Sequence, residues 1–326
     1  MEIFRGSWSN FAAVRDSAVT VGLFDGLHRG HRAILDVLTQ AAAAQALRSV
    51  VLTFDAHPRD VLRETGTPVP LLTTLEEKLE LLAAAKVDLT IVLQFDQTLA
   101  KMSATDFVQI ILKGRIGMRK VVVGFNHGFG KDRAGDRETL LAMTKPLGFS
   151  VDVVNHAHLG DTIVSSTYLR ELIGRGDVAQ AAEGLGRFYS VRSAIVHGAG
   201  RGKRLHWPTA NLGAITRGKL CPGDGIYAGL ARVRGETHPA AISSGFNPTF
   251  SEGRHSVEAH LIGFDDDIYD ENIELAFVEH LRTEKKFTSE EGLSSQIAED
   301  VRQAERVLRE RGLFDVVSGA SGKPRR

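Results

Sequence analysis

From Ala18 to about Gly186 the chain alternates short apolar runs with longer stretches whose apolar residues return every three or four positions. The runs at 19–23, 50–54, 89–95, 121–125 and 151–154 predict buried strands, and residues 75–85, 104–112 and 137–143 predict helices. Thr74-x-x-Glu77 and Ser103-x-x-Asp106 supply capping signals for two of those helices. Such alternation predicts an α/β domain, a parallel, doubly wound Rossmann-like sheet with ligands at the carboxyl ends of its strands. From about Arg187 the pattern changes. Short β-like runs at 189–197, 226–233, 240–243 and 257–262 are separated by Gly, Pro, Asn and Asp, which predicts a small, mostly antiparallel barrel. Ile297, Val301, Ala304 and Leu308 then lie on one helical face, and the closing SGASGKPRR has the composition of a disordered tail. There is no internal repeat and no low-complexity linker, so two directly joined domains, 1–186 and 187–326, are expected.

Composition narrows the class. Lys plus Arg and Asp plus Glu number 40 each, so there is no basic field for bulk nucleic-acid binding. A single cysteine, Cys221, excludes an internal disulfide and fits a reducing cytoplasm. The opening MEIFRGSWSN has no apolar run, so no signal peptide is expected, and no stretch has the length of a membrane span. A cytoplasmic enzyme or binding protein is expected; oligomeric state is not legible.

The chemistry concentrates at strand ends. VGLFDGLHRGH (21–31) is a strand, a turn and a helix start, an arrangement whose free N–H groups bind phosphate. His28 and His31 can donate to oxygens that gain charge as pyrophosphate leaves a nucleoside triphosphate, and Gly30 permits close approach. SSTYLR (165–170) places three hydroxyls at a helix start, with Arg170 three residues past Thr167. They are plain N-caps or, with the guanidinium, a polyphosphate site. GFNHGFG (124–130) follows another strand and is a plain turn or a ligand loop. In the second half GAGRGKRLHWPTAN (198–211) fails the spacing of a Walker A loop and of a dinucleotide Gly-x-Gly-x-x-Gly. Glu258, taken alone, reads as a solvated strand carboxylate.

GLFDGLHRGH and SSTYLR resemble the paired signatures of the HxGH nucleotidyltransferases. With FDAHP (54–58) and GFNHGFGKDRAG (124–135), they resemble the FMN adenylyltransferase half of bacterial bifunctional riboflavin kinase/FAD synthetases. PTAN (208–211), PGDGIYAG (222–229), SGFNPTF (244–250), VEAH (257–260), FDDDIY (264–269), Leu281-Arg282 and Lys286-Phe287 resemble the kinase half of that family. The likeness runs in order from about residue 15 to 310. It implies phosphorylation of riboflavin to FMN, then adenylyl transfer from ATP to give FAD, with Mg2+ accompanying ATP. It implies that His28 and His31 stabilise the transferring adenylyl group. It places ATP on Gly22, Phe24, Asp25, Gly30, Ser165, Ser166, Thr167 and Arg170, and in the second half on Gly198, Arg201 and Lys203. Thr209 and Asn211 would hold the metal–nucleotide phosphates, Glu258 would be the base for the riboflavin 5′-hydroxyl, and Asn126, His57 and Arg282 would lie beside flavin.

Several positions depart from the family. His206 and Asp270 stand where it usually has Gly, Gly263 where it has Asp or Asn, Ala56 where it has Pro, and Asn126-His-Gly-Phe replaces an acid-or-Asn, Phe, polar, Phe order. A specialised paralogue, acting on a modified flavin or keeping one activity, is the alternative. Two others are a nucleotidyltransferase for another phosphorylated acceptor, with the barrel as a regulatory flavin module, and a noncatalytic flavin binder.

Overall fold

The five apolar runs of the first half are strands of one parallel sheet. A computed structural model describes residues 1–314, apart from 13, 63–67, 127, 132–133, 199–205 and 247–254. The tail expected to be disordered lies outside the described residues. The chain divides into two compact units, Met1–Ser166 and Thr167–Arg326.

In the first unit β1 (Glu2–Gly6), β2 (Ser17–Val21), β3 (Arg48–Phe54), β4 (Leu89–Leu93), β5 (Met118–Gly124) and β6 (Ser150–Val154) form a sheet of order β1-β4-β3-β2-β5-β6. Every pairing is parallel. Both faces are covered, which is why the strands read as unbroken apolar runs. Val19, Val21, Val50, Leu52, Val121 and Val123 face one core; Ala18, Val51 and Val122 face the other, against Leu35, Leu38 and Ala42 of α1 (Arg29–Ala44). The strand order reverses at β2, with β3 on one side and β5 on the other, so a crevice opens at the carboxyl end of β2.

Strand β1 was not legible. It is five residues long, it lies at the sheet edge, and three of its residues are exposed, so it lacks a buried strand's apolar run. The capping box expected at Thr74 and Glu77 forms and starts helix Leu75–Ala84; Ser103 caps residue 106 as expected. Helix Ala104–Asp106 continues as a π-helical stretch, Phe107–Ile116, which ends at Gly117 with φ +82°.

The second unit is a closed antiparallel barrel. Its strands are β9 (Tyr189–Val196), β10 (Ala210–Leu212), β11 (Gly225–Val233), β12 (Glu236–Phe246), β13 (His255–Leu261) and β14 (Asn272–Arg282), in the order β10-β13-β12-β11-β14-β9. The two-residue strands β7 (His158–Leu159) and β8 (Thr162–Ile163) form a separate hairpin in the first unit. Helix Glu290–Glu310 buries Val301, Ala304, Val307 and Leu308 against the barrel, the face expected from its spacing, although Ile297 is only half-buried.

The compact units divide at 166/167, whereas the sequence pattern changes at 186/187. Helices Ser166–Gly174 and Val178–Leu185 belong with the barrel because the second of them lies on β14 and β9, and Val178, Ala181 and Leu185 are fully buried.

Candidate active sites

The turn after β2 is strained and tightly fastened. Phe24, Gly26 and Leu27 all have positive φ (+50°, +81° and +38°), which costs about 1–2 kcal/mol for each residue with a Cβ. Asp25 holds the turn. Its buried carboxylate accepts the Leu72 N–H at 3.0 Å, the Thr73 N–H at 3.0 Å and the Thr73 hydroxyl at 3.2 Å. The Gly26 N–H donates to the same hydroxyl at 3.0 Å, and the Ser166 hydroxyl donates to the Asp25 carbonyl at 2.9 Å. The Asp25 carboxylate thus fastens the turn to residues 72–73. Gly22 leaves room for the Phe24 ring, which would lie 3.1 Å from a Cβ there.

The two histidines meet at the mouth of α1. His28 is its N-cap, accepting the His31 N–H at Nδ1 over 3.4 Å. A neutral ring that accepts at Nδ1 carries its proton on Nε2, the geometry of a donor toward ligand. The two rings stack with centroids 3.7 Å apart, and Phe24 meets His31 edge-on at 5.1 Å. Gly30 permits this: a Cβ there would lie 3.2 Å from the His28 ring. The close approach expected at Gly30 is thus by His28 itself. His31 is half-buried, yet its Nδ1 is enclosed and has no hydrogen-bond partner among the described residues. Burial first, then the charges of His28 and Lys78, hold its imidazole well below the ordinary histidine range. The ring is neutral at pH 7. Lys78, which periodicity placed merely on a helix, is a buried ammonium of this site.

Ser165 and Ser166 close the first unit; Thr167 and Arg170 follow on helix Ser166–Gly174 in the second. Asn126 is exposed just beyond β5, and His57 is half-buried at the start of the short helix Pro58–Leu62.

In the barrel Asn211 of β10 and Ser243 of β12 lie directly across from Glu258 of β13, so all three share one face. That face is opposite to Val257 and Ala259, which are buried. The Thr209 hydroxyl lies 3.5 Å from a Glu258 oxygen, and the Asn211 amide donates to the Thr209 carbonyl at 3.2 Å. Gly198 makes room for Asn211, whose amide atoms would be 2.6 Å from a Cβ there. His260 pairs with the Pro208 carbonyl at 2.8 Å, and Trp207 donates to the Ser294 hydroxyl at 3.3 Å, which anchor the segment before Thr209. Hydroxyl, amide and carboxylate oxygens are the donor set a hard divalent cation takes beside phosphate, so these residues fit Mg2+. Arg201 and Lys203, with His127, lie outside the described residues. The Nε and Nη2 of Arg282 donate to the two oxygens of buried Asp300 at 2.7 and 2.6 Å, with Gln296 also on Asp300.

The family model for FAD synthetase matches residues 11–168 and that for riboflavin kinase matches residues 185–308. A bifunctional riboflavin kinase/FMN adenylyltransferase of Listeria monocytogenes is 35% identical over 286 residues, 87% of this chain and 90% of the relative. One from Haemophilus influenzae is 32% identical over 305 residues, 93% and 98% of the two chains. A solved structure from Streptococcus pneumoniae, described as a macrolide-efflux protein, is similar with a TM-score of 0.86 at 27% identity, over 94% of this chain and 99% of that one.

Proposed function

The chain belongs to the bifunctional riboflavin kinase/FMN adenylyltransferase family, and on that premise we propose how its residues divide the two reactions. It converts riboflavin to FMN at the expense of ATP, and FMN to FAD by adenylyl transfer. Both families use ATP with a divalent metal, which we take to be Mg2+.

For adenylyl transfer, an FMN phosphate oxygen attacks the α-phosphorus of ATP and pyrophosphate departs. His28 donates from Nε2 to the oxygens that gain charge, and His31 stays neutral beside it. The N-terminus of α1 adds its partial positive charge at the same place. Ser165, Ser166, Thr167 and Arg170 hold the leaving phosphates. For the kinase, Glu258 takes the proton of the riboflavin 5′-hydroxyl as that oxygen attacks the γ-phosphorus of ATP. Mg2+ held by Thr209 and Asn211 would neutralise phosphate charge when bound. Asn126 and His57 lie toward flavin in the first unit, and Gly198, Arg201 and Lys203 toward ATP in the second. The cytoplasm is the compartment that fits one unpaired cysteine.

The stacked His28–His31 pair at the strand-order reversal carries the adenylyl-transfer reading. The test is a reciprocal separation. H28A/H31A should accumulate FMN and lose FAD formation by at least about 10²–10³-fold, the cost of one lost preorganised donor. E258Q should lose FMN formation by about 10²–10⁴-fold, the worth of a general base, yet turn supplied FMN into FAD. Normal FAD output from the first variant, or normal kinase turnover from the second, would overturn the corresponding assignment.

A further inference from the structure

Lys78 is 8% exposed, and the hydrogen bonds of its ammonium go to neutral oxygens, the Thr53 hydroxyl at 3.3 Å and the Phe54 carbonyl at 3.4 Å. Burial alone disfavours that charge, and Asp25 and Asp55 offset the penalty electrostatically. A buried charge gives little stability over an apolar residue of equal volume, so its presence at a strand end calls for another use. The geometry supplies one. Thr53, fully buried, donates in turn to the carbonyl of Leu23 at 3.2 Å, the residue that leads into the strained turn. Residues 72–73 also grip the turn, through Leu72 and Thr73 on Asp25 and through the Gly26 N–H on the Thr73 hydroxyl. The capping box of Thr74 and Glu77 then locks this segment onto the helix that bears Lys78.

We propose that Lys78 is a positioning residue for adenylyl transfer, holding the histidine turn through Thr53. The inference rests on the assignment of His28 and His31 to that reaction. The ammonium also acts on His31, and the sign of that effect is definite. The groups acting on His31 are the Phe24 edge and the His28 ring from the turn, and Lys78 from the helix. Asp25 and Asp55 face Lys78 from the turn and from the end of β3. A positive neighbour disfavours imidazolium, so removing it raises the pH at which His31 takes up a proton.

The experiment compares K78M, K78R and T53V in the full chain, following FAD formation from supplied FMN, kinase turnover, and the His31 ring titration by NMR. For K78M we expect kcat for FAD formation to fall about tenfold or more, as for a small misplacement of catalytic groups. The KM for ATP and FMN should change less than about twofold, because binding groups are untouched. The His31 titration and the acid limb of the rate profile should move together to higher pH, while kinase turnover is unchanged. K78R should restore the titration and most of the rate. T53V, which keeps the charge and cuts the relay, should lower kcat without moving the titration, and it decides the positioning role if K78M does not fold. An unchanged rate in K78M or T53V overturns the proposal. So does a K78M loss with a fixed His31 titration and no rescue by arginine, the result for a packing residue. Retained FAD formation by H28A/H31A would instead sink the underlying assignment.

Discussion

His206 and Asp270 show what a single position decides. Both have left-handed backbone, φ +62° and +63°, although each bears a Cβ. A side chain in that region costs about 1–2 kcal/mol, of which glycine's greater unfolded-state entropy returns about 0.5–1 kcal/mol. His206→Gly and Asp270→Gly should therefore each stabilise the second unit by roughly 0.5 kcal/mol, visible as a higher urea midpoint at unchanged slope. A destabilised glycine variant would mean that the side chain makes a compensating contact. The same scale shows why the candidate site was only partly legible. Motif residues such as His28, Asn211 and Glu258 stand out as types at a spacing. Lys78 and Thr53 do not, since their roles exist only where the ends of two strands and a helix meet.

At the scale of elements, apolar runs located five strands of the sheet, edge strand β6 included, and four of the barrel, and missed β1, β10 and β14. Strand β1 is a partly exposed edge, β10 has three residues, and β14 reads in its last turn as a charged motif rather than a strand. The terminal helix was legible by its face, but not what ties it down. Arg282, expected beside flavin, forms a bidentate pair with Asp300, with the two side chains only 16% and 6% exposed. Removing one partner of a buried pair strands the other. Arg282→Met should cost about 3–5 kcal/mol, and R282M/D300L should recover much of it. Urea unfolding of the four corners of this double-mutant cycle measures the coupling. If Arg282→Met raises the KM for riboflavin at unchanged stability, the arginine serves the flavin instead.

For the whole molecule, the two activities should separate, and the cut matters. Residues 167–326 retain Leu169, Leu172, Ile173, Val178 and Leu185, all fully buried, each worth about 1.5–3 kcal/mol of burial. A 167–326 fragment should phosphorylate riboflavin, make no FAD, and unfold at higher urea than a 187–326 fragment. Equal stability of the two fragments would place the two helices outside the barrel's folding unit. Loss of kinase activity in a folded 167–326 fragment would count against independent sites.

The sequence by itself determined the alternating α/β half, the barrel half, the membership of the family and the residue types that carry the chemistry. These are written in local periodicity and in motifs whose order survives without coordinates. Only the tertiary structure decided that helices Ser166–Gly174 and Val178–Leu185 pack with the barrel, that the Asp25 carboxylate fastens the turn, and that Arg282 pairs with Asp300 of the terminal helix. It alone placed a buried ammonium beneath the histidine turn. Burial, charge and register between distant segments set those facts, and each depends on residues far apart in the chain that only folding brings within hydrogen-bond reach.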